Sequence, residues 1–396
     1  MAQTIPLGLQ TQPAEQSQSV SRATTVPWFV WSGVLAVSSI AFGLYWDISW
    51  HMTIGRDTFW TPAHLAIHFG GILAAITCIV LIFSTTFSHD PASQSASVRV
   101  WGFRGPLGAF LTAWGGVTMV TSAPFDNWWH SSFGLDVEIL SPPHVVLGLG
   151  IWGVGVGCLL LLLAQKNRAV GTARQSLEWL FLYVAALLMS LHMILISEYC
   201  DANLMHSAVF YRTIAIGTPT LLIAYGRASG RKWGATIVAA IYMALMLAAL
   251  WIFPIFPAQP KLGPVYTNVT NMVPMGFPVL LVVPAFLLDL VMDRFGGRGK
   301  WFLSIVAGSA FLAALIAVQW PFGVFMISPA ARNALFGQIY FPYQMPPSMY
   351  QLAYQFQSFE PTRSAFWLSL GIALVASILS VRVGLAFADW LSRIRR

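Results

Sequence analysis

Charge is scarce along this chain: of 396 residues only 9% are charged, 21 basic and 14 acidic, against 57% that are apolar. Such a balance lies far outside the composition of water-soluble domains and excludes an ordinary soluble globule. Cysteine is nearly as rare. Cys78, Cys158 and Cys200 are widely separated and form no Cys-x-x-Cys, which excludes a disulfide framework and a cysteine-rich zinc site. Two of them fall inside apolar runs and read as small buried thiols. There is no phosphate-binding glycine loop, no nucleophile elbow and no pair of carboxylates of glycosidase type. Nor is there a basic stripe interleaved with exposed aromatics, so the net charge of +7 does not point to nucleic acid. The first 26 residues, rich in Gln, Ser and Thr, lack the basic start and apolar core of a signal peptide and read as a disordered tail.

What the chain has in abundance is apolar runs of eighteen residues or more, too long for buried strands and long enough for transmembrane helices. The expected fold class is therefore all-α, a polytopic transmembrane helix bundle. Ten helices are predicted, near 27–50, 61–87, 103–124, 142–164, 177–197, 206–226, 233–254, 273–293, 300–320 and 364–390. Trp and Phe cluster near the ends of these runs, where aromatic rings favour the membrane interface. Arg99 and Arg104, Lys166, Arg168 and Arg174, Arg227, Arg231 and Lys232, Arg294, Arg298 and Lys300, and the terminal arginines fall on alternate connections. The positive-inside rule makes those connections and both termini cytoplasmic. The expected home is a bacterial or archaeal cell membrane.

Against this background the stretch 46–71, WDISWHMTIGRDTFWTPAHLAIHFGG, stands out because it places ionisable groups where they are costly. Asp47 and His51 are four apart and share a helix face if the first helix runs through them. His64 comes thirteen residues after His51, two past Pro62, where the first turn of the next helix is expected. The stretch 125–144, FDNWWHSSFGLDVEILSPPH, repeats the arrangement with Asp126, His130 and His144. Trp50 and Trp129, Gly55 and Gly134, Asp57 and Asp136, and Pro62 and Pro142 recur in step. The N-terminal part is thus an internal helix-loop-helix repeat.

One carboxylate and two imidazoles, without a thiolate, form a ligand set that suits copper, non-haem iron or zinc. Such a set leaves coordination positions open, whereas structural zinc closes its shell with four protein ligands. A single Asp-x-x-x-His at a helix end is usually a hydrogen-bonded interfacial pair; two matched copies, each completed by a third ligand, favour metal. Arg56 and Asp57 are candidates for orienting a ligand through a hydrogen bond, or for an ordinary loop ion pair. In the second copy Asp136 holds the place of Asp57, and Asn127, beside Asp126, is a further candidate. His68, one turn below His64, is a candidate fourth ligand or proton relay, or a buried histidine bonded to a helix neighbour. A further acidic and histidine cluster, His192, Glu198, Asp201 and His206, lacks the Trp and Pro flanks and is not a third copy.

The first string resembles a membrane subunit of the copper membrane monooxygenases, the particulate methane monooxygenase and ammonia monooxygenase family. In that subunit an Asp, a His four later and a His thirteen beyond, with a similar RDT and TP pair, form a metal site. The second string is similar to the same subunit's second site, built from an Asn, a His four later and a His fourteen beyond. Here Asp126 stands in the Asn position, which makes the set more anionic. The resemblance covers about the first 165 residues. It implies copper at Asp47, His51 and His64 and at Asp126, His130 and His144, and oxidation of a small apolar substrate or ammonia. It also implies other monooxygenase subunits as partners, including a cupredoxin-like one, with self-association as a further expectation.

Domain organisation follows as a tail over 1–26, a four-helix metal-binding region over 27–165 and a helical membrane region over 166–396 with a long outer loop at 321–363. All eight histidines precede Phe210. The alternative to an oxygenase is a copper-delivering membrane protein serving an oxidase, with Met193, Met205, Met272, Met275, Met345 and Met349 as soft ligands for cuprous ion. A secondary transporter is disfavoured because both copies of the repeat begin on the same side.

Overall fold

The computed structural model describes residues 24–134 and 141–395. The fold is 72% helical with almost no sheet, the all-α bundle that the apolar runs predict. Helix α1 spans Trp28–Thr53 and α2 spans Pro62–Thr86. A short α3, Pro91–Ser95, and a hairpin of β1, Val98–Val100, and β2, Phe103–Gly105, lead to α4, Leu107–Phe133, and α5, Pro142–Lys166. Helices α6, Gly171–Leu195, α7, Ala208–Ala215, α8, Thr218–Ser229, and α9, Gly234–Ile252, follow. The chain closes with α10, Val282–Phe295, α11, Lys300–Ile327, a single turn α12, Tyr350–Ala353, and α13, Arg363–Leu391. Eight spans, with α7 and α8 taken as one, are long and apolar enough to cross a membrane.

The first four long helices cross on small residues. A Cβ added at Gly43 would meet Ile67 Cγ1 of α2 at 2.7 Å, and one at Gly70 would meet the Ala36 carbonyl of α1 at 2.6 Å. Between α2 and α4, a Cβ at Gly116 would lie 2.5 Å from the Gly71 carbonyl. Between α4 and α5, Gly108, Gly115, Gly150, Gly153 and Gly157 bring backbone against backbone. Close backbone approach of this kind supplies packing where lipid removes the hydrophobic drive for helices to associate.

Two predicted spans differ from expectation. The helix predicted over 206–226 breaks at Gly217 (φ 91°), and the donors freed at the break are satisfied across the bundle, since Gly217 N and Thr220 N donate to Ser380 Oγ at 3.1 and 3.3 Å. The helix predicted over 273–293 begins only at Val282, because Pro274, Gly276 and Pro278 keep the preceding segment non-helical. That segment is nonetheless largely buried at Val273, Met275, Val279 and Leu281. Its polar backbone borrows partners: Val273 N donates to Thr53 Oγ1 at 2.8 Å and Leu280 N to Gln319 Oε1 at 3.2 Å.

Glu360 caps α7 from a distant loop, accepting from Ser207 Oγ at 2.6 Å, Val209 N at 2.9 Å and Ala208 N at 3.3 Å. Its charge sits at the positive end of the helix. Glu360→Ala leaves those donors unpaired, and an unfolding free energy lower by about 2 kcal/mol is expected in a detergent melt.

Candidate metal centre

Helix α1 runs unbroken through Asp47 and His51 to Thr53, so the two side chains stand one turn apart on one face. The helix stops where Ile54 N and Gly55 N both donate to the Trp50 carbonyl and Gly55 turns to φ 78°. The Trp50 indole then donates to the Arg56 carbonyl at 3.0 Å and folds the loop back over the helix end. Thr58 N donates to Thr61 Oγ1 at 2.9 Å, Pro62 opens α2, and His64 falls in its first turn. These local contacts bring three side chains from two helices and one from a loop to a common centre.

Within that centre His64 Nε2 lies 3.1 Å from Asp47 Oδ1, and His51 Nε2 lies 3.8 Å from Asp47 Oδ2. Asp57 Oδ2 is 3.5 Å from both Nε2 atoms. Among the described residues, Asp47, His51 and His64 form the one group whose ligand atoms all lie within 4.8 Å of one another. The protonation logic is informative. His64 Nδ1 is 2.9 Å from the Thr58 carbonyl, so Nδ1 carries hydrogen and Nε2 of the neutral ring turns a lone pair toward a carboxylate oxygen. Two acceptors at that separation require a cation between them, a proton or a metal ion. A carbonyl holding the far nitrogen of an imidazole is also the arrangement that fixes metal-binding histidines.

The second copy is built in the same way. Helix α4 continues through Pro124 and carries Asp126 and His130 in its last two turns, ending at Gly134 (φ 89°). Helix α5 opens on Pro142 and Pro143 and presents His144 as its third residue, as α2 presents His64. Asp126 stands between the two rings, with Oδ2 3.5 Å from His130 Nε2 and Oδ1 3.7 Å from His144 Nε2. His130 Nδ1 approaches the Gly134 carbonyl at 3.2 Å. Asp47 Oδ1 and Asp126 Oδ1 are both buried, and each faces an imidazole nitrogen, His64 Nε2 at 3.1 Å and His144 Nε2 at 3.7 Å. Asp136 lies outside the described residues.

The accessory candidates divide. Asp57 reaches the imidazoles directly, whereas Arg56 is exposed and contributes its carbonyl to Trp50. His68 stacks on Phe59 at 5.2 Å and lies within electrostatic reach of both His64 and Asp126, which places it between the two clusters. Asn127 is exposed, and its carbonyl accepts from Ser131 Oγ.

The 192–206 group does not converge. His192 Nε2 lies 3.1 Å from Thr218 Oγ1, and its ring fills the space beside Gly217. His206 is sandwiched between Trp320 at 4.0 Å and Phe356 at 3.6 Å with Nε2 2.9 Å from the Trp320 carbonyl. Glu198 and Asp201 are exposed. Met193, Met205, Met272 and Met275 are buried as core residues, which leaves no open thioether path through them.

Sequence reasoning gave Asp57 an indirect role and missed Tyr343, which packs against the bend of the first cluster. Its signal is faint: one tyrosine in a loop dense with them. Compared with known protein families, curated proteins and solved structures, the chain matches none.

Proposed function

We propose that this chain is a copper-dependent membrane oxygenase, or a subunit of one, that oxidises a small apolar substrate or ammonia. The observation that carries the reading is the convergence of Asp47, His51 and His64, with Asp57 beside them, at the mouth of a largely apolar bundle. The donor set fits the ion: one carboxylate and two imidazoles are intermediate ligands, and in each cluster a buried carboxylate oxygen faces an imidazole nitrogen. Asp47, His51 and His64 would hold one ion, and Asp126, His130 and His144 the other. Bound copper would supply one-electron chemistry toward dioxygen.

The chain's own part is to hold and select. The Thr58 carbonyl keeps His64 turned inward, and the Gly134 carbonyl does the same for His130. Partial burial of both carboxylates strengthens their pull on a cation relative to open water. Phe59, Trp60, Trp128 and Phe133 are exposed next to the clusters and give an apolar molecule a route from lipid. By the positive-inside argument the clusters face outward. The delivery alternative is weakened by the burial of four of its six methionines, Met193, Met205, Met272 and Met275.

Metal analysis of the purified protein tests the reading. About two copper ions per chain are expected, about one after either His51→Ala or His130→Ala, and none after both. Copper content unchanged in both single variants removes it. Oxygen uptake that depends on reductant and a small substrate, with partner subunits supplied, separates an oxygenase from a carrier.

A further inference from the structure

We propose that Tyr343, from the histidine-free half of the chain, is a positioning residue for the first cluster, and this rests on the metal reading above. Its phenol is fully buried between Met52, Val269 and Val273, and its hydroxyl sits against Gly55, where an added Cβ would lie 1.9 Å from the oxygen. Gly55 is the bend between His51 and Asp57, so whatever fixes Gly55 fixes the angle at which Asp57 meets the two imidazoles.

Tyr343 is itself held firmly. Its N–H donates to the Met52 carbonyl at 3.1 Å, and its carbonyl accepts from Tyr266 N and Thr267 N at 2.8 and 3.0 Å. Gln344 Nε2 donates to its hydroxyl at 2.7 Å. Two further bonds tie the same helix end to the same half of the chain: Lys261 N donates to the Ile54 carbonyl at 2.8 Å, and Ser49 Oγ to the Val273 carbonyl at 2.6 Å. The last turn of α1 is thus splinted at Ser49, Met52, Thr53 and Ile54, on either side of His51. The second copy has no counterpart among the described residues, since nothing lies within 4 Å of a Cβ built at Gly134. The first cluster is thus clamped by the C-terminal half of the chain.

The clamp makes the test specific. In a His130→Ala parent, which isolates the first cluster, Tyr343→Ala is expected to weaken Cu(II) binding about 10- to 100-fold in a competition titration. It is also expected to shift the g and hyperfine values of the Cu(II) EPR signal. Tyr343→Phe, which keeps the ring in place, is expected to retain the parent's spectrum and most of its affinity. In a His51→Ala parent, Tyr343→Ala is expected to leave the second cluster's affinity and spectrum alone. If Tyr343→Ala does not accumulate, Tyr343→Leu keeps the apolar volume while removing the seat, and the same shift is expected. Unchanged binding and spectrum in the His130→Ala parent, or an equal loss at both clusters, overturns the inference alone. A His130→Ala parent that binds no copper overturns the metal reading and this inference with it.

Discussion

Leucine in place of Gly115 is expected to abolish ion binding at Asp126, His130 and His144 and to reduce sharply the amount of folded protein. At this position α4 and α5 touch through backbone: an added Cβ would lie 2.5 Å from Val154 N, 2.6 Å from the Gly150 carbonyl and 2.8 Å from the Gly153 carbonyl carbon. These are helix backbone atoms, which cannot turn aside as the tip of a side chain can. A Cβ at Gly153 would in turn lie 2.9 Å from the Gly115 Cα, so the crossing has no slack on either helix. Leucine must therefore push the helices apart, and overpacking with a single extra group already costs about 1–3 kcal/mol in cores that can relax. Separation at the crossing splays the ends that carry Asp126 and His130 on α4 and His144 on α5. Gly148→Leu on the facing helix α5 is the control, because nothing lies within 4 Å of its Cβ position. Copper content in a His51→Ala background, with a melting curve for each variant, provides the readout. A Gly115→Leu protein that melts and binds like Gly148→Leu would show that the close crossing does not set the second cluster.

The same crossing explains what could be read from the chain and what could not. Apolar runs gave the helices, and a repeated Asp-x-x-x-His followed by a proline two residues before a histidine gave both clusters, because helical periodicity and first-turn prolines are local rules. The non-local features were out of reach. Asp57 and Arg56 are neighbours with opposite fates, one turned toward the imidazoles and the other outward, and the choice depends on the Trp50 indole closing the loop. The apolar segment before Val282 reads as helix until its prolines are weighed against a glutamine 39 residues away that satisfies its backbone. His192 and His206 lie in a short acidic stretch that reads as a cluster but not as a third copy. Packing instead gives one ring to Thr218 and the other to two aromatic faces. Tyr343 carries no local mark at all, since its importance lies in a contact with a glycine far earlier in the chain.

Charge at the first cluster is shared between two carboxylates. Asp47 lies 3.1 Å from His64 Nε2 and 3.8 Å from His51 Nε2, and Asp57 Oδ2 lies 3.5 Å from both. Replacing both, Asp47→Asn together with Asp57→Asn, is therefore expected to weaken ion binding about 100-fold or more. A unit charge about 4 Å away at an effective dielectric of about 20 is worth about 4 kcal/mol, partial exposure lowers this, and about 2.8 kcal/mol suffices for that factor. Asp47→Asn is expected to cost less, about 10-fold, because the Asp57 carboxylate remains to neutralise the ion. Each variant is titrated in the His130→Ala background. Both clusters are expected to release their ion on acidification, since protons then compete for the same nitrogens. Equal losses for the single and the double variant would mean that Asp57 contributes no charge to the first cluster, and the donor count there would return to three.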